Sequence, residues 1–134
     1  MNTKQRPQSL KDVSVLAKDG HFDAFLREFI DEFDKASHEK KQQMILQEPD
    51  RLENPIAGAY LAATAEHLAR KNKLLIPDWT NDNQYVLRYP HFGSPLQSHK
   101  AYLLARSPSA FRRRMIFVDM DVLSRPHKDN WISK

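Results

Sequence analysis

The apolar positions of this 134-residue chain recur mostly at helical spacing. Phe22, Phe25, Leu26, Phe29, Ile30 and Phe33 fall at i, i+3, i+4, i+7, i+8 and i+11, and Asp23, Arg27, Glu28, Asp31, Glu32 and Asp34 fill the other face. Residues three and four apart share one side of a helix, so this segment predicts an amphipathic helix with four phenylalanines on its core stripe. A second strong segment runs from Ile56 to about Asn72, opened by Asn54 as N-cap and Pro55 at the first helical position. Its apolar residues nearly surround it, which predicts a central helix, and its run of small residues (Ala57, Gly58, Ala59, Ala62, Ala63) permits close packing. Glu66 and Arg70 form an i, i+4 pair, placed by the pattern on an exposed edge.

Shorter helices are predicted around these two. Ser9 can cap a helix ending near Ala17, before Gly20, and Ser37 can cap another from His38 to about Gln47, before Pro49. Leu96 to Ala105 carries the apolar run Tyr102, Leu103, Leu104, and Ser107-Pro108 restarts a helix beyond it. Ile116 to Val118 is expected to be extended, with a last short helix over Met120–Ser124. Between Lys73 and Pro95 the periodicity stops. Three prolines, Asn81-Asp82-Asn83 and the aromatics Trp79, Tyr85, Tyr89 and Phe92 predict an ordered irregular segment pinned to the helical body, with a short helix near Gln84–Tyr89. The expected architecture is an all-α, compact multi-helix single domain with a long aromatic irregular segment and little or no sheet. Residues 1–8 are expected to be a disordered N-terminus, 9–125 the domain and 126–134 a polar tail.

Composition narrows the classes. Three glycines, with no Asn-Gly or Asp-Gly, disfavour a hairpin-built β fold. The absence of cysteine removes disulfides and thiolate chemistry. With no apolar run of membrane length and no apolar core in MNTKQRPQSLKD, the expectation is a cytoplasmic protein without a membrane partner. The net charge of +4 is unevenly spread: residues 1–70 carry 10 Lys/Arg against 12 Asp/Glu, residues 71–134 carry 11 against 5. From His99 to Val118 there are five basic residues, Lys100, Arg106, Arg112, Arg113 and Arg114, and no acid. Such a surface suits an acidic protein, a nucleotide or a nucleic acid. It also suits a solvated face neutralised by the acidic half of the same molecule.

The chemistry concentrates in SPSAFRRRMIFV, Ser107–Val118. Arg112, Arg113 and Arg114 are planar, permanently charged donors matched to phosphate or carboxylate, and their apolar flanks anchor them to a core. On a helix three consecutive side chains fan over roughly 200°, so the three cannot all meet one partner, and at least one is expected to pair internally. Together with Arg106 and the aromatics Trp79, Tyr89 and Phe92 they form the candidate partner or anion-binding set. Glu66 and His67 are candidate structural or site residues, since neighbouring helix positions point about 100° apart. Six scattered histidines show no metal-ligand spacing, and there is no GxSxG, P-loop or GxGxxG. No metal, cofactor or catalytic residue is expected.

Three segments carry a resemblance: AYLAATAEHLAR (Ala59–Arg70), IPDW (Ile76–Trp79) and LLARSPSAFRRRMIFVDMDVLSRP (Leu103–Pro126). Together they resemble a family of small bacterial proteins with an A-Y-L-A-x-x-A-E-H-L-A helix, a P-x-W turn, an aromatic loop and an S-P-x-A-F-R-x-R-x-I-F-V segment. The matching positions here are Glu66, His67, Pro77, Trp79, Ser107, Pro108, Phe111, Arg112, Arg114, Phe117 and Val118; Arg113 falls where the pattern varies. Genes of that family often lie beside genes for nucleotidyltransferase-like proteins, in an arrangement similar to toxin–antitoxin pairs. The resemblance implies an antitoxin-like or accessory partner of a nucleotidyltransferase-type protein, binding rather than catalysing. The alternatives are a nucleic-acid-binding accessory protein and an enzyme of unknown reaction.

Overall fold

Ser9 starts the first helix as its spacing predicts. Its hydroxyl accepts the backbone N–H of Asp12 at 3.0 Å, and α1 runs Leu10–Leu16. A short 3₁₀ turn then ends at Gly20, whose φ of +114° is open to glycine at little cost. In the computed structural model, which describes residues 6–93, 99–119 and 123, five further helices follow. They are α2 (Phe22–Lys35), α3 (His38–Leu46), α4 (Pro55–Asn72), α5 (Lys100–Arg106) and α6 (Ser109–Arg112). Ser37 caps α3 through the Lys40 N–H, and Asn54 caps α4 through the Ile56 N–H, each side chain meeting a donor that the first helical turn leaves open.

Helix α4 is the centre of the domain. Eleven of its side chains are buried, and it packs against α3, α6 and the 3₁₀ turns Asp78–Asn81 and Asn83–Tyr85. The phenylalanine stripe of α2 is core: Leu26, Phe29, Ile30 and Phe33 are fully buried, and Phe22 meets Tyr60 of α4 edge-on at 6.2 Å. Burying side chains of this size contributes roughly 1.5–3 kcal/mol each. Before Ser9, Arg6 pairs with Glu32 of α2 at 2.7 Å and Pro7 is buried. The helix expected over Met120–Ser124 and the tail from Pro126 lie outside the described residues, apart from Leu123.

The irregular segment is held where its aromatics predict. The Trp79 indole N–H donates to the Ile45 carbonyl at 3.3 Å, its ring meets Tyr85 at 5.5 Å, and the Tyr85 hydroxyl donates to Glu48 at 2.7 Å. The predicted helix near Gln84–Tyr89 is shorter and earlier, the 3₁₀ turn Asn83–Tyr85 capped by Asp82. Beyond it the chain pairs with the segment after α6. Two-residue strands β1 (His91–Phe92) and β2 (Ile116–Phe117) run parallel, with His91 opposite Ile116 and Phe92 opposite Phe117. Leu87, His91 and Gly93 donate in turn to the carbonyls of Arg114, Met115 and Phe117. No described helix is long and apolar enough to cross a membrane.

Candidate functional site

The arginine run lies at the end of a helix rather than along it. α6 stops at Arg112, Arg113 and Arg114 form a turn, and Met115 takes a left-handed φ of 68° before β2 begins. Breaking the helix removes the angular fan expected for three successive helical side chains. Arg113 and Arg114 therefore reach the same carboxylate, Glu66 of α4. Arg113 Nε and Arg114 Nη1 donate to Glu66 Oε1 at 2.8 and 2.7 Å, and Arg70 Nε donates to Oε2 at 2.8 Å.

Glu66 and Arg114 are each 1% exposed, so this is an ion pair inside the core. The i, i+4 pair with Arg70 exists, but its acid is not on an exposed edge. α4 turns Glu66 inward because three cations surround it there. Burial alone would raise the Glu66 pKa; the hydrogen bonds from Arg114, Arg113 and Arg70 outweigh it and hold the carboxyl at about 2, against an ordinary 4.5. Arg114 also donates to the carbonyls of Ala110 at 2.7 Å and Thr80 at 2.8 Å, joining α4, α6 and the Asp78–Asn81 turn through one guanidinium. This donor geometry suits arginine and could not be reproduced by lysine.

The other two arginines sit differently. Arg113 is half exposed and gives a second bond to the Asn81 side chain at 3.0 Å. Arg112 is exposed, and its Nη2 donates to the Ser107 carbonyl at 2.6 Å, beyond the C-terminus of α5. Arg113 is thus tied to the core carboxylate, whereas Arg112 lies on the surface. Ser107 is buried and bridges two elements: its hydroxyl donates to the Leu103 carbonyl at 2.5 Å and accepts the Val118 N–H at 3.0 Å.

The His67 ring lies edge-on to Phe111 at 6.0 Å. Burial lowers its pKa, with Lys71 acting in the same direction and Glu66 against it. Both Glu66 oxygens are engaged by arginines, and the hydrogen bonds and ion pairs of Glu66 do not include His67. Among the described residues no group of three or more potential ligands is placed to hold a metal ion. A cleft of about 180 Å³ lies between the 49–55 linker and Tyr85, below the roughly 300–1,000 Å³ of pockets that enclose small molecules.

Of the aromatic candidates, Trp79 is half buried against Ile45, and Phe92 stacks on Phe117 at 5.2 Å with Lys100 Nζ over its ring. Tyr89 is 80% exposed. On α5 Leu103 alone is buried, and Ala101, Tyr102, Leu104, Ala105 and Arg106 are exposed. The Arg106 guanidinium lies 5.1 Å from the Tyr102 ring, in cation–π range. Tyr102 and Leu104 are absent from the sequence-derived set because the run Tyr102-Leu103-Leu104 looks like core. Three consecutive helical positions cannot share a face, which is the signal that separates them. From Asn83 to Val118 the chain has six basic residues and no acid.

Compared with protein-family models, curated proteins and solved structures, the chain has no significant match.

Proposed function

We propose that this protein is a non-catalytic, antitoxin-like binding protein whose partner is a nucleotidyltransferase-type protein, and that α5, together with Tyr89, provides its docking residues. The observation that carries the reading is α5 itself. A seven-residue helix that buries one side chain and exposes Tyr102, Leu104 and Arg106 contributes little to its own domain. Aromatic residues and arginine, in a sequence segment that holds no acid from Asn83 to Val118, are what protein interfaces enrich and what an acidic partner surface attracts. The family-like motifs supply the partner class. Arg106 at the end of α5, and Arg112 at the end of α6 with its side chain on the Ser107 carbonyl, would face the partner's acidic groups, while Tyr89 and Tyr102 would be the apolar anchors.

The test is titration of the purified chain with the nucleotidyltransferase-type protein encoded beside its gene. The expected result is a complex with a dissociation constant near or below about 1 µM at moderate salt, about −8 kcal/mol or stronger. Tyr102→Ala should weaken it at least tenfold, and raised salt should slow association. No complex at about ten times that concentration removes the reading. Absence of the complex with tight, steeply salt-dependent RNA or DNA binding instead would reassign the same basic and aromatic face to nucleic acid.

A further inference from the structure

We propose that Arg70 and Arg113, held over the buried Glu66 carboxylate, form a binding site for a phosphate group. The site is independent of the α5 surface, being built from α4 and the turn after α6. Three guanidinium groups converge on one carboxylate, which leaves two positive charges uncompensated within the cluster. Arg114 is enclosed, so the excess is presented by Arg70 and Arg113, whose side chains are 58% and 48% exposed.

Both side chains are already oriented. Each uses its Nε to grip a different oxygen of Glu66, and Arg113 is further fixed by Asn81. Among the described residues, neither terminal nitrogen of Arg70 nor Nη1 of Arg113 has a hydrogen-bond partner. The two terminal nitrogens of Arg70 can make a charge-assisted, paired contact to phosphate oxygens, and Nη1 of Arg113 a single one. Fixing both groups through Nε removes much of the rotamer entropy that free surface arginines lose on binding. The like charges also repel one another: Arg113 and Arg70 both act to lower the Arg114 pKa, after the larger effects of burial, which lowers it, and of Glu66, which raises it. A bound dianion relieves that repulsion, which two arginines already neutralised by separate carboxylates would not offer.

The experiment is calorimetric titration of the whole protein with inorganic phosphate at pH 7, against sodium chloride at matched ionic strength. The Nε–H resonances of Arg70 and Arg113 are followed in parallel by NMR. The expected result is saturable binding in the millimolar range or tighter, with both resonances shifting together. Arg70→Gln and Arg113→Gln should each weaken it at least tenfold, while Arg88→Gln, on the exposed irregular segment, should not. Arg113→Gln also removes a fold contact, so its circular dichroism is compared with that of the wild type. If it fails to fold, Arg70→Gln, at the more exposed position, decides. Equal affinity for phosphate and a nucleoside monophosphate supports a site for the phosphate group alone. Tighter nucleotide binding, still lost in Arg70→Gln, supports the same site reading a phosphate on a larger molecule. Phosphate indistinguishable from chloride, or binding unchanged in Arg70→Gln, overturns the proposal.

Discussion

Replacing Glu66 by glutamine keeps the shape of the side chain and removes the charge on which three arginines converge. The folded carboxyl titrates at about 2 and its ordinary value is 4.5. A gap of that size, at 1.36 kcal/mol per pKa unit, corresponds to about 3 kcal/mol of folding free energy at neutral pH. Loss of one partner from a buried ion pair, about 3–5 kcal/mol, gives the same order. With an m-value of about 1–3 kcal/mol/M, the urea midpoint should fall by about 1–3 M at pH 7. Since the folded pKa is depressed, this stabilisation is complete above the unfolded value of 4.5 and disappears as pH falls towards 2. Urea unfolding of both proteins at several pH values between 7 and 2 should therefore show the gap closing on the acid side. A gap under about 1 kcal/mol at pH 7, or one that stays constant to pH 2, would refute the carboxylate's role.

Two further substitutions test the surrounding packing. Ser107→Ala removes the acceptor of the buried Val118 N–H, and unfolding free energy should drop by about 1–3 kcal/mol. Gly58→Ala should do the opposite: the new methyl would meet the Tyr85 ring at 3.7 Å, an ordinary contact, and α4 would gain about 0.5–1 kcal/mol, read as a higher melting temperature.

The helices were legible because their signals are local. The α2 stripe, the Asn54-Pro55 opening of α4 and the serine caps at Ser9 and Ser37 each specify an element within a few residues. The cluster around Glu66 was not, because its arginines come from positions 47 and 48 residues away as well as from the next turn. A glutamate with an arginine four residues on looks like a surface pair. Its burial becomes visible only when the turn after α6 delivers Arg113 and Arg114 to it. That turn depends in its own right on the left-handed Met115, which no glycine or asparagine signals. The β1–β2 pairing was hidden for the same reason: each strand is two residues long, too short for alternation to register. The expectation that at least one arginine pairs internally identifies the right physics, and the geometry assigns it to both Arg113 and Arg114.

The division of labour among three adjacent arginines is most directly measured by comparing Arg114→Met with Arg112→Met in urea unfolding. Arg114→Met leaves the Ala110 and Thr80 carbonyls without their donor and takes the buried cation from Glu66, so it should cost about 3–5 kcal/mol. Arg112→Met removes one bond at an exposed site and should cost no more than about 1 kcal/mol. Equal losses in the two variants, or a larger loss at Arg112, would contradict the assignment of Arg114 as the residue that locks the fold.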